Sequence, residues 1–145
     1  MTATPDPKAV QVGGSHYKQF LLEPLEVAYG NQYDNLTFTI LKYLMRHPFK
    51  GGAVDLDKAA HSAHYRARMI QEHGHAPRAL NTFPPERIIF ANKMGHLEGR
   101  ILCDLHAWAR LELPMSDSDA AAMLAQSLVA LRDTRYGAFS KRDEV

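Results

Sequence analysis

The segment that decides the fold is DNLTFTILKYLMRHP, residues 34–48. Its apolar side chains recur at steps of three and four residues, which is the period of an amphipathic helix. They share one face: Leu36, Ile40, Leu41 and Leu44. Asp34 or Asn35 is typical of a helix N-cap, and Pro48 ends the pattern because the residue before a proline avoids helical geometry. The segment therefore predicts one amphipathic helix with sharp ends.

The same kind of pattern predicts the rest of the chain to be helical. Four further helices are expected near residues 23–30, 55–73, 84–112 and 116–135. No segment alternates with period two for long, and β-branched residues are sparse, which argues against strands. We expect an all-α fold of about five helices, in which a long central helix and the C-terminal helix form a hairpin. No internal repeat is evident from the sequence.

Three regions are predicted along the chain. Residues 1–12 carry two prolines and few apolar side chains, and we expect a short, flexible arm. Residues 13–75 are expected to form a helical module, and residues 76–145 a hairpin that supplies core or an oligomerisation surface. The apolar positions of the 84–112 segment cover much of a helix circumference, so we predict a homo-oligomer.

The composition is that of an ordinary globular chain, with 46% hydrophobic and 23% charged residues and a formal net charge of +1. So small a net charge argues against an extended nucleic-acid or membrane-binding surface, and any anion site should be local. The single cysteine, Cys103, excludes an intramolecular disulfide and fits a reducing cytosol. No apolar run is long enough to span a bilayer, and no signal peptide is recognisable. We expect a cytoplasmic protein without a membrane partner.

Small polar clusters suggest an anion site. Lys42 and Arg46 lie one helical turn apart and can contact two phosphate oxygens. The glycines at 51 and 52 allow close backbone approach, and a helix beginning near Asp55 presents free amides and the positive end of its dipole. Asp55 or Asp57 is a candidate Mg²⁺ ligand, although Asp55 is at least as well explained as an N-cap.

Five short motifs within about residues 12–72 resemble, in order and spacing, those of a small bacteriophage family. Its best-understood relative is a coliphage kinase that phosphorylates deoxynucleoside monophosphates without a P-loop. The motifs are Gly14-Ser15-His16-Tyr17, Pro24-Leu25-Glu26, Lys42-Tyr43-x-x-Arg46, Lys50-Gly51-Gly52 and Asp55-Leu56-x-Lys58-Ala59. The chain departs from the family pattern at Thr39, where asparagine is usual, and at His61-Ser62, where an aromatic pair is usual.

The resemblance implies a nucleotide-binding protein in the cytosol of an infected bacterial host, and it favours a nucleoside monophosphate kinase that lacks a P-loop. Its implied catalytic residues are Lys42, Arg46 and Asp55. Its implied nucleotide- and phosphate-binding residues are Ser15, His16, Tyr17, Lys18, Tyr43, Lys50, Gly51, Gly52 and Lys58. A kinase would also use Mg²⁺ with ATP; otherwise no cofactor is expected.

Several alternatives stay open. A phage protein that only sequesters a nucleotide needs the same pocket without catalysis, and a structural or protein-interaction role needs neither. Glu23 and Glu26 resemble the paired carboxylates of all-α pyrophosphatases, but no second Glu-x-x-Asp element follows. The histidines at 61 and 64 lie three apart on a predicted helix, yet they lack the tight ligand set of a zinc site, so no metal site is assigned.

Overall fold

In a computed structural model, residues 20–137 are described, and they form six α-helices and no strand. The helices are α1 (Pro24–Asn31), α2 (Asn35–Arg46), α3 (Ala53–His73), α4 (Pro85–Asn92), α5 (His96–Ala109) and α6 (Asp117–Tyr136). The all-α prediction is confirmed, with six helices rather than about five. The predicted arm at residues 1–12 and the Ser15-His16-Tyr17-Lys18 cluster lie outside the described residues.

Side-chain caps explain where two of the six described helices begin. The Asp34 carboxylate accepts a hydrogen bond of 2.8 Å from the Thr37 N–H at the start of α2, and the Ser116 hydroxyl accepts one of 3.1 Å from the Asp119 N–H at the start of α6. α3 begins two residues earlier than expected, with Gly52 as its N-cap. The interpretation of Asp55 as the N-cap is therefore wrong.

The predicted long helix over 84–112 is also wrong, because the chain breaks it into α4 and α5. Lys93 adopts a left-handed backbone conformation with φ 52° and caps α4, and Gly95 is the N-cap of α5. The prediction failed because the apolar positions keep a constant spacing of three residues across the break, at Ile88, Ala91, Met94 and Leu97. The expected hairpin is thus three helices.

Two halves of the molecule have the same design, α1–α2–α3 and α4–α5–α6. In the first two helices of each half, several apolar core residues have counterparts 61 positions later that are buried as well. Such pairs are Val27 and Ile88, Ile40 and Ile101, Leu41 and Leu102, and Leu44 and Leu105. In the third helices the separation is 65, as for Ala59 and Leu124 or Ala63 and Leu128. The chain is therefore an internal repeat with four extra residues between α5 and α6, which corrects the expectation of no repeat.

Reciprocal contacts join the halves. Asn31 ends α1, and its side chain binds both backbone groups of Phe83, at 2.7 Å to the N–H and 3.0 Å to the carbonyl. Asn92 ends α4, and its side chain binds the N–H and carbonyl of Leu22, both at 2.9 Å. Leu22 and Phe83 are themselves 61 residues apart. Each half thus clasps the other in the same way, as subunits do across a twofold axis.

The third helices, α3 and α6, pack against each other through the centre of the molecule. A buried arginine, Arg66 of α3, also crosses between halves. It forms an ion pair of 3.0 Å with Asp34 and stacks on the Trp108 ring of α5, with its guanidinium carbon 4.3 Å from the ring centroid. Within residues 20–137, no helix is both long enough and apolar enough to cross a membrane.

Candidate functional site

Three cations surround one aromatic ring on the first half of the molecule. The Lys42 ammonium and the Arg46 guanidinium each lie 4.8 Å from the centroid of the Tyr43 ring, and the Lys58 ammonium lies 5.6 Å from it. Lys42 and Arg46 come from α2, whereas Lys58 comes from the second turn of α3. The electron-rich ring face attracts all three cations, which concentrates positive charge in one place.

Arg46 is committed to an ion pair with Asp55. Its Nε lies 3.0 Å from Asp55 Oδ2 and its Nη2 lies 3.2 Å from Oδ1, and both side chains are largely buried. Asp55 Oδ2 also accepts a hydrogen bond of 3.2 Å from the Gly51 N–H. Both carboxylate oxygens are thus engaged, so Asp55 closes the α2–α3 connection and does not fit a Mg²⁺ ligand unless this pair opens.

The glycines of that connection have conformational roles. Gly52 has φ 56°, a left-handed conformation that strains any residue with a Cβ. A Cβ at Gly51 would overlap the Asp55 carboxylate. The first-turn amides of Ala53 and Val54 at the start of α3 have no earlier helical carbonyl to bind, and Val54 lines the same groove as Tyr43 and Lys58.

A buried hydrogen-bond network joins the α2–α3 connection to helices α5 and α6. His47 Nδ1 lies 2.6 Å from the Tyr136 hydroxyl of α6, and Nε2 lies 3.1 Å from Glu98 Oε2 of α5. Arg135 binds the same carboxylate through Nη2 at 2.9 Å. The hydrogen bond from His47, with help from Arg135, lowers the pKa of Glu98 from 4.5 to about 2 in spite of its burial. The second half therefore holds the loop that carries Lys50, Gly51 and Gly52.

The cation cluster borders a groove of ≈ 450 Å³ between α2 and α3, which we call the α2–α3 groove. Tyr43, Asp57 and Lys58 line it, and so do Thr39 and Ser62, the two positions where the chain departs from the phage family pattern. Asp57 forms an ion pair of 2.6 Å with Arg132 of α6. Residues that the sequence analysis named therefore line one groove, among them Thr39, Tyr43, Lys58 and Ser62.

The structure brings together five of the residues that the sequence singled out: Lys42, Tyr43, Arg46, Asp55 and Lys58. Lys50 is exposed on the adjoining turn. His47, Glu98 and Tyr136 could not be grouped from the sequence, because Glu98 and Tyr136 lie 51 and 89 residues after His47 and none belongs to a short motif. Only the internal repeat, once recognised, indicates which distant helices meet.

The structure also bears on metal binding by the histidines and on the reactivity of Cys103. Within residues 20–137, no three His, Cys, Asp or Glu side chains converge as they would around a metal ion. Burial raises the pKa of the Cys103 thiol, with the nearby Asp104 and Glu86 carboxylates adding to the effect. A raised pKa leaves little reactive thiolate at neutral pH.

Comparison with models of known protein families, with curated proteins and with solved structures finds no match to this chain.

Proposed function

We propose that the protein binds a nucleotide through the α2–α3 groove, with the phosphates at the cation cluster. The observation that carries this proposal is the grouping of Lys42 and Lys58 around Tyr43, at the mouth of a groove beside a helix N-terminus. Ammonium groups and first-turn amides are the usual protein donors to phosphate. The resemblance to the phage family supports a nucleotide as the phosphate carrier.

The groove itself supports a role for the base or sugar. Tyr43 and Val54 offer apolar surface, while Thr39 and Ser62 offer hydroxyls. Its volume, ≈ 450 Å³, lies within the range of small-molecule sites. A nucleotide that places its phosphates at Lys42 and Lys58 has room for its remaining atoms along these residues.

Binding without turnover is favoured over a kinase. Arg46 and Asp55, two of the three residues to which the resemblance gives a catalytic role, bind each other at 3.0 and 3.2 Å. Asp57, the other candidate Mg²⁺ ligand, faces Arg132. A nucleotide-sequestering protein in an infected host needs only the lysines and the groove, whereas a kinase also needs a metal-bound donor phosphate.

The binding test is calorimetric titration of the protein with inorganic tripolyphosphate and with each deoxynucleoside monophosphate. The double variant Lys42→Gln, Lys58→Gln should bind at least tenfold more weakly, since a hydrogen bond to a charged group contributes about 1.5–3 kcal/mol. The matched control, Lys93→Gln, removes a lysine from the exposed turn between α4 and α5 and should leave the affinity unchanged. Equal affinities of the double variant and wild type would rule the proposal out.

Turnover is tested separately. The protein is incubated with ATP, Mg²⁺ and each deoxynucleoside monophosphate, and the products are separated by ion-exchange chromatography. The binding proposal expects no diphosphate above the blank and unchanged nucleotide after denaturation. A diphosphate that disappears in the Lys42→Gln, Lys58→Gln variant would establish the kinase instead. Self-association stays a prediction, and sedimentation velocity of the full chain measures it.

A further inference from the structure

The internal repeat places a second groove at the equivalent position of the second half. This α5–α6 groove, of ≈ 210 Å³, lies between α5 and α6 as the α2–α3 groove lies between α2 and α3. Three of its lining residues occupy positions equivalent to lining residues of the first groove. Arg100 corresponds to Thr39, Asp104 to Tyr43, and Ser127 to Ser62. The repeat has therefore kept the cavity.

The chemistry of the second groove is different. The positions equivalent to Lys42 and Lys58 hold Cys103 and Met123, so the pair of lysines that marks the first groove has no counterpart. Arg100 is the cation that lines the second groove, and Asp104 faces the same space one helical turn later. A polyphosphate is poorly matched to one cation beside a carboxylate, because the like charges repel.

Asp104 is the polar group of this groove whose carboxylate lacks a direct partner within the described residues. It is half-buried, and among residues 20–137 it forms no direct ion pair or hydrogen bond and interacts only through charge with Arg100. Burial raises the pKa of Asp104, while Arg100 acts in the opposite direction. A carboxylate that has lost water without gaining a donor is stabilised by a ligand that brings N–H groups to it.

The rest of the groove suits a flat, mostly apolar body. Leu97, Ile101 and Leu131 supply an apolar floor, and Ser127 and Thr134 add hydroxyls at the rim. The volume of ≈ 210 Å³ is below that of most drug-sized pockets, which limits the ligand to about the size of a nucleobase or nucleoside.

We propose that the α5–α6 groove binds a guanine-type base or its nucleoside, with Asp104 on the Watson–Crick donors and Arg100 on the neighbouring acceptors. The N1–H and the exocyclic amine of guanine point the same way, and together they can donate to the two oxygens of a carboxylate. Arginine is the usual partner of the O6 and N7 acceptors on the adjoining edge. The arrangement goes beyond the proposed phosphate site and does not depend on it.

The test is an NMR titration of the full chain with guanosine, inosine and adenosine, none of which carries a phosphate. Inosine lacks the exocyclic amine, and adenosine presents an acceptor where guanosine has N1–H. Wild type should bind guanosine at least about tenfold more tightly than either, the discrimination expected of one bidentate pair. The largest shifts should fall on α5 and α6 amides.

Variants locate the site. Asp104→Asn should remove the preference for guanosine, whereas Asp119→Asn, which changes an exposed carboxylate on α6, should retain it. The Lys42→Gln, Lys58→Gln variant should bind guanosine like wild type, and Asp104→Asn should bind tripolyphosphate like wild type, so the two proposals fail separately. Guanosine binding that is absent, equal to that of adenosine, or unchanged in Asp104→Asn would overturn this inference.

Discussion

The two halves of this molecule have equivalent buried residues but differ in their surface residues. Ile40, Leu41 and Leu44 have buried counterparts 61 residues later, and each half ends its first helix with an asparagine that clasps the other half. Yet Lys42 and Lys58 both lie near the Tyr43 ring, which lines one groove, whereas a cysteine and a methionine occupy the equivalent positions of the second half. The difference teaches which positions serve the fold and which are free to serve a ligand.

The strongest test of this equivalence is a matched pair of core truncations. Leu44→Ala and Leu105→Ala each remove a fully buried leucine from the second helix of a half, and each should cost about 2–5 kcal/mol of unfolding free energy. Because α3 and α6 pack together, both variants should unfold in one transition, as monitored by circular dichroism in urea. Two separate transitions in either variant would mean that the halves are independent domains.

Loss of the two asparagine side chains that join the halves should have a smaller effect than the core truncations, and the two effects should differ. Asn31 is fully buried and also contacts the Tyr33 hydroxyl at 3.2 Å, so Asn31→Ala leaves several buried polar groups unsatisfied and should cost about 2–3 kcal/mol. Asn92 is only partly buried, and Asn92→Ala should cost about 1–2 kcal/mol. Urea denaturation measures both; an equal or reversed ranking would contradict the assigned difference in burial.

The smallest expected effects concern two carboxylates of α5 with opposite pKa shifts. Glu98 has a folded-state pKa of about 2, below the ordinary 4.5, so it stabilises the fold above pH 4.5 and loses this contribution as the pH falls toward 2. Because its partner Arg135 is partly exposed to water, we expect about 1–2 kcal/mol at neutral pH. Glu98→Gln should flatten the acid limb of the stability curve.

Asp104→Asn is the control with the opposite sign. The folded-state pKa of Asp104 is raised, so its ionised form destabilises the fold above the ordinary pKa, and this cost disappears in acid. The variant should be slightly more stable than wild type at pH 7, by less than about 0.5 kcal/mol, and indistinguishable at low pH. Chemical denaturation across the pH range checks both carboxylates; a loss of stability in Asp104→Asn at pH 7 would contradict the sign.

Local signals in the sequence predicted much of the fold. Asp34 caps α2 as one of the two residues expected there, and α1, α3 and α6 end within one residue of the predicted positions, at Asn31, His73 and Tyr136. The break at Lys93 was missed because its side chain gives no turn signal, whereas the equivalent Gln32 follows the recognisable Gly30-Asn31. The repeat itself was not recognised because its identical residues, such as Ile40 and Ile101 or Leu41 and Leu102, are scattered, and because the spacing changes from 61 to 65 before the third helix.

The same contrast between local signals and long-range contacts applies to the candidate site. Lys42, Tyr43 and Lys58 could be grouped from the sequence, since helical spacing and the α2–α3 turn bring them together. The engagement of Arg46 with Asp55 could not, because a side-chain pair across a turn depends on backbone geometry that only the fold supplies. Nor could the His47 network, whose partners come from the other half.

The connector between α3 and α4 is exposed, which has a consequence for proteolysis. Residues 72–75 are exposed around Gly74, and the backbone is tied down again only at Ala79 and Leu80, which bond to Ala109 and Asn31. A protease that cuts beside Gly74 severs one covalent link and removes no core side chain. The nicked molecule would persist as two fragments held by both asparagines and by the α3–α6 contact, a heterodimer assembled from a single gene product.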